Sequence, residues 1–284
     1  MQQRARDGKL SRVERLRNAL RDERSAVALD VAALELARIE FPTADVASSI
    51  SRLDGLAEQI DRQLPANSSG LDFVRSANEI LFDTLRFRGN QDNYYDPQNS
   101  CLNAVLMRRL GIPITLSVLY IEIARRLSRP VYGVGLPGHF IVAYEGRDAR
   151  YWIDPFHAGR ILTFADCCAL AKETAGVDLR SNPAVLAPVN KRQILVRMLS
   201  NLKAVYLRGQ AFTRALQVLD LLIEAMPDYA EEYRHRALVR LSLHDYRAAK
   251  ADLETYLRLE PSAPEREQVE KQLKLIQRWR ARLN

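Results

Sequence analysis

Cysteine is scarce in this chain: three residues in 284, with Cys167 and Cys168 adjacent. An odd, clustered set does not make a disulfide framework, so the expected setting is reducing and cytoplasmic. Long apolar runs are missing too. None approaches the roughly 18–20 residues of a membrane span, and no membrane role is expected. The opening MQQRARDGKLSRVERLRNAL is basic but lacks the apolar block and small-residue site of a secretory leader. There is no C-x2-C pair and no histidine pair at helical spacing, so the common zinc patterns are absent. The body of the chain also lacks net charge. The total is +7, but residues 1–24 carry eight basic and four acidic side chains (+4) and residues 265–284 six and three (+3), leaving zero between. A nucleic-acid binder usually carries its basic patch on the folded body, so no nucleic-acid partner is expected. The two charged termini read as solvated helices.

What is present is a globular composition, 47% apolar and 27% charged. Residues 25–86 read as three helices. The first carries Val27, Leu29, Val31, Leu34, Leu36 and Ile39 and stops at Pro42. The second carries Val46, Ile50, Leu53, Leu56 and Ile60, with Thr43 or Asp45 as cap. The third runs from Leu71 to Arg86. Residues 87–100, FRGNQDNYYDPQNS, have loop chemistry. A helix is expected from Cys101 to Leu110 with Gly111 as its C′ residue and Pro113 as its stop. Another is expected from Leu116 to Leu127, capped by Thr115. Strands are expected at 131–134, at His139–Tyr144 and at Tyr151–Asp154, the last two forming a hairpin. A helix over Thr163–Thr174 and a linker over 176–190 follow. The last third repeats at a period of 34: Leu207 with Leu241, Phe212 with Tyr246, Ala215 with Ala249, Leu219 with Leu253, and Pro227 with Pro261. This is the tetratricopeptide pattern, and Val269–Leu283 reads as its capping helix.

Three features bear on chemistry. Gly133-Val134-Gly135-Leu136-Pro137-Gly138 spells G-x-G-x-x-G, but Gly138 leads into a strand and Pro137 has no N–H to offer phosphate. It is read as a turn, and no cofactor is expected. Asp154 and His157 are close in sequence and His139 falls near them, but such a set on a hairpin is not a diagnostic metal site, and no metal is expected. The adjacent Cys167 and Cys168 are read as one core and one boundary residue. The third feature is Cys101, His139 and Asp154. His139 opens one strand and Asp154 closes its partner, so the two side chains meet at one end of the hairpin. A carboxylate on one imidazole nitrogen leaves the other as base. Cys101 falls in the first turn of a helix, where the dipole favours thiolate. The plain alternative is a small core cysteine and a His–Asp bond that holds a hairpin.

The stretch YYDPQNSCLNAVLMRRLGIPITLSVLYIEIARRL, followed by PVYGVGLPGHFIVAY and YWIDPF, resembles the transglutaminase-like core of the SirB-type bacterial proteins, which join it to C-terminal tetratricopeptide repeats. The resemblance identifies His139 and Asp154 with the superfamily His and Asp. It places the nucleophile at the start of the helix before the two strands. That helix begins Ile114-Thr115-Leu116-Ser117, and Cys101 opens the helix before it.

The expected architecture is therefore α+β: a helical N-terminal part with a small transglutaminase-like (papain-like) core over residues 1–180, then an all-α tetratricopeptide-repeat domain over 190–284. The leading functional reading is an interaction or regulatory module on an inactive scaffold, binding a protein or peptide in the repeat groove or the cleft. Its rival is a thiol enzyme acting on amide or ester bonds, with Cys101 as nucleophile, His139 as general base and Asp154 as orienter.

Overall fold

A computed structural model describes residues 12–283, and the chain divides into two compact units, residues 1–198 and 199–284. Residues 1–11 of the expected basic N-terminal helix lie outside the described residues. No described helix is long and apolar enough to cross a membrane.

The first unit opens with helices α1 (Arg12–Arg21), α2 (Leu29–Leu36), α3 (Val46–Asp61) and α4 (Gly70–Asn78). Local chemistry sets the starts of α3 and α4. The Asp45 carboxylate accepts from the Ser48 N–H, and Ser69 and Asp72 form a reciprocal capping box. α4 does not simply continue to Arg86 as expected. Residues Glu79–Thr84 form a π-turn, and Arg86 ends it in the left-handed region.

Two further helices, α5 (Leu102–Arg108) and α6 (Pro113–Arg126), flank a short parallel pair, β1 (Arg88–Gly89) with β2 (Leu110–Gly111). Three expected boundary roles change here. Arg109, at φ +60°, takes the left-handed C-cap, and Gly111 is a strand residue. Pro113 starts α6 instead of stopping α5; a first-turn proline forfeits no helical hydrogen bond. Thr115 sits inside the first turn, where its Oγ1 accepts from the Ile112 N–H.

The sheet has five antiparallel strands in the order β6-β5-β4-β3-β7: β3 (Val131–Val134), β4 (Ile141–Glu145), β5 (Arg150–Asp154), β6 (Arg160–Leu162) and β7 (Pro188–Val189). β4 is central and apolar without alternation because both its faces are covered. On one face Val134, Ile141 and Ala143 pack with Cys167 and Ala171 of α7 (Phe164–Ala175), the helix expected over Thr163–Thr174, which starts on a Thr163–Asp166 capping box. On the other, Tyr144 meets Phe73, which meets Tyr120 of α6. α6 is buried at every position from Pro113 to Ala124, as a helix apolar on all sides must be. Its one buried carboxylate, Glu122, joins Asp30 of α2 through Arg125 and Arg126. The segment read as a linker is ordered into short turns and supplies β7.

Helix α8 (Lys191–Arg208) begins in the first unit and runs into the second, which continues with α9 (Phe212–Ala225), α10 (Ala230–Ser242), α11 (Tyr246–Leu259) and α12 (Arg266–Leu283). Phe212 and Tyr246, 34 residues apart in the repeat, each open a helix, and Ala215, Ala249, Leu219 and Leu253 are fully buried. Buried Asp252 is held by Arg236 through two hydrogen bonds, at 3.0 and 2.7 Å, and by Arg240 at 2.7 Å.

Candidate functional site

The open end of the β4–β5 hairpin carries the chemistry. Asp154, the last residue of β5, is buried and also caps the single 3-10 turn Pro155–His157. Its Oδ1 accepts from the Phe156 and His157 backbone N–H groups at 3.0 and 3.4 Å. Its Oδ2 lies 2.9 Å from His139 Nε2 and 2.7 Å from His157 Nδ1. One carboxylate oxygen thus serves two imidazoles, whose rings stack at 5.7 Å. Burial alone would raise the Asp154 carboxyl pKa, but the hydrogen bonds from His139 and His157 outweigh it and hold it far below the carboxylate range. The bond to Asp154 in turn raises the His157 pKa. The turn that follows is fixed by Gly159, at φ +72°, whose carbonyl accepts from Asn78 Nδ2 at 2.7 Å. A side chain there would strike the Asn78 amide.

His139 is held from its backbone. Arg197 of α8 donates to the Leu136 and His139 carbonyls at 2.9 and 2.5 Å and lies over the Phe140 ring. Phe156 packs edge-on against both histidines, and Tyr94 packs edge-on against Phe156. Gly138, at φ +70°, makes the turn into β4 that the G-x-G-x-x-G stretch was expected to make.

Of the three expected site residues, His139 and Asp154 are brought together. Cys101 packs in a cluster of its own. It is the N-cap of α5, fully buried against Ala37, Ala104 and Phe41, and its Sγ donates to the Pro97 carbonyl at 3.4 Å. Burial, with Glu40 and Asp96 adding their charge, pushes its thiol pKa far up, the opposite of the thiolate that a helix start was expected to give. At the start of α6, Thr115 Oγ1 donates to the Asn99 carbonyl at 2.6 Å. Ser117 Oγ donates to the Phe140 carbonyl at 3.4 Å, and both side chains are fully buried. Cys167 is buried and Cys168 partly so, as read from the sequence. His157 had a signal in the sequence: an Asp-Pro pair opening a single turn returns the third residue after Asp over its carboxylate. Arg197 had none, because the pairing depends on where α8 packs.

The transglutaminase-like superfamily model matches residues 47–200, and a tetratricopeptide-repeat model matches residues 202–274. The chain belongs to the transglutaminase-like, SirB-type family. It is 38% identical over 233 residues to a UPF0162 protein of Xylella fastidiosa, covering 81% of this chain and 83% of that one. It is 24% identical over 255 residues to protein SirB1 of Salmonella typhimurium, covering 87% and 90% respectively. Human F-box only protein 21 is 33% identical over 165 residues, which are 54% of this chain and 25% of that protein.

Proposed function

We propose that this chain is a protein-interaction or regulatory module, cytoplasmic, built on a transglutaminase-like scaffold that does not perform thiol chemistry. A protein or peptide partner binds in the repeat groove or the cleft, the role to which stacked helical repeats are suited. The observation that carries the reading is the state of the nucleophile positions. The first turn of α6 offers only Thr115 and Ser117, both buried with their hydroxyls spent on backbone carbonyls. Cys101 is a buried neutral thiol bonded to Pro97. Neither supplies an exposed, activated nucleophile.

The bonded His139–Asp154 pair favours a second reading, a thiol enzyme acting on amide or ester bonds through Cys101, His139 and Asp154. Asp154 holds Nε2 and leaves Nδ1 to act as base. Iodoacetamide labelling followed by peptide mapping separates the two. The interaction reading expects Cys168 to label first and Cys101 last, with no response to His139→Ala. Rapid labelling of Cys101 that slows about tenfold in His139→Ala, or amide or ester turnover abolished by Cys101→Ala, would overturn it.

A further inference from the structure

The His139–Asp154 bond has an obvious reading as part of a dyad, but His157 does not fit it. A dyad needs one imidazole on the carboxylate; here a second, stacked beside the first, meets the same oxygen. We propose that His139, Asp154 and His157 form a binding site for a zinc-class divalent transition metal. This inference is independent of the interaction reading above and holds or fails without it.

The donor set and its spacing argue for such an ion. His139 Nε2, Asp154 Oδ2 and His157 Nδ1 all lie within 4.8 Å of one another, with the two N···O separations at 2.9 and 2.7 Å. Zinc held at about 2.0–2.2 Å by each ligand sets donor atoms roughly 3.3 Å apart in a tetrahedron, so the two N···O pairs open by about half an ångström to admit it. Two imidazoles with one carboxylate suit zinc and its first-row neighbours. Magnesium and calcium prefer all-oxygen shells.

The surroundings divide the work in the usual way for such a site. Two ligands are fixed: Asp154 and His139 are buried, Asp154 by two backbone N–H groups on Oδ1 and His139 by Arg197 on its carbonyl. Ligating carboxylates and histidines are normally braced by outer hydrogen bonds of this kind. The third ligand is adjustable, since His157 is 43% exposed in its side chain. Beside Asp154 and His157 lies a cavity of about 270 Å³, which Asp166 and Glu173 also line. It leaves room for water or a ligand atom at a fourth position. The charges are suitable too: the three ligands carry −1 when both imidazoles are neutral, and the cavity adds two carboxylates against one guanidinium, that of Arg160. To bind the metal each imidazole must turn a bare nitrogen to it, carrying its N–H on the other ring nitrogen, and an imidazolium must first lose one proton to solvent, so the metal competes with acid.

The test uses the full chain, stripped with EDTA, dialysed, and titrated with zinc chloride alone. Isothermal titration and elemental analysis should give one zinc per chain, and affinity should fall at least tenfold in His157→Ala. Cobalt(II) should produce the visible absorption of a four- or five-coordinate nitrogen-ligated ion. As a check that needs no variant, the four histidines can be followed by imidazole NMR. The signals of His139 and His157 should move together on adding zinc, while those of His235 and His244 stay in place. Zinc uptake that is substoichiometric, that is unchanged in folded His157→Ala, or that shifts only His235 and His244 would overturn the proposal.

Discussion

Loss of Arg126 should cost the first unit several kcal/mol for a small change in volume. Its guanidinium reaches Asp30 and Asp54 at 2.6 Å, and Glu122 at 3.0 Å through both the carboxylate and the main-chain carbonyl. Asp30 and Glu122 are 2% and 1% exposed. Arg126→Met keeps much of the stem but leaves two buried carboxylates with Arg125 as their cation, which is half exposed and bonds Glu122 at 2.8 Å and Asp30 at 3.3 Å. Removing one partner of a buried ion pair costs about 3–5 kcal/mol, and Arg125 keeps the expected figure near the lower limit, about 3 kcal/mol. For a unit of this size that lowers Tm by roughly 6–12 °C. The pH dependence has a definite sign. Burial, and then the charge of Asp30, already raise the Glu122 pKa, and losing Arg126 raises it further. A carboxyl with a raised folded pKa binds its proton more readily folded than unfolded. The variant should therefore recover stability as pH falls from neutrality toward about 5. Adding Asp30→Asn should recover part of the loss at neutral pH. Urea unfolding at the two pH values measures both effects. A loss under about 1 kcal/mol, or an equal loss at both pH values, would refute the account of this cluster.

Asp154→Asn should lower the His157 pKa toward the ordinary imidazole value, because the carboxylate is what raises it; proton NMR titration reads this directly. In the parent protein the stability that this pairing gives His157 is complete below the ordinary histidine range. It fades as pH rises through the raised folded value, and urea midpoints across that window should show it. Gly138→Ala should cost roughly 1–3 kcal/mol, since it forces φ +70° on a residue whose Cβ would sit 2.8 Å from Thr174 Cβ; a change within 0.5 kcal/mol would count against the turn described here. A fragment of residues 190–284 should be partly molten, because two repeats and a cap fall short of the three or so that stack stably. A sharp, cooperative melting transition would contradict this.

Much of the fold is written in local chemistry and therefore readable from the sequence. Asp45, Ser69 and Thr163 act as caps because their side chains meet N–H groups two or three residues away. The 34-residue spacing marks helix starts because each repeat solves the same packing problem. What escapes the sequence depends on distant partners. β6 and β7 are three and two residues long and carry no periodicity, so only the strand beside each one defines it. The π-turn at Glu79–Thr84 and the left-handed Arg109 are tertiary solutions imposed on ordinary helix formers. At the site, the hairpin brings His139 and Asp154 together as expected, although His139 lies in the turn before β4 and does not open the strand. The burial of Cys101 is not legible, because a helix start looks the same in sequence whether it faces solvent or Ala37, Ala104 and Phe41.

The strand order has a bearing on how the protein is made. Synthesis runs from the N-terminus, so β3, β4, β5 and β6 leave the ribosome well before β7, which lies beyond α7 in the chain. Until then the outer side of β3 presents the open edge that β7 later covers opposite Gly133 and Val134, a template for any extended segment nearby. When β7 arrives it closes that side and also ends the sheet, because Pro188 has no N–H with which to recruit another strand. The nascent chain thus passes through an interval of strand-capture risk that the finished protein no longer carries, and truncation before Pro188 would make that interval permanent.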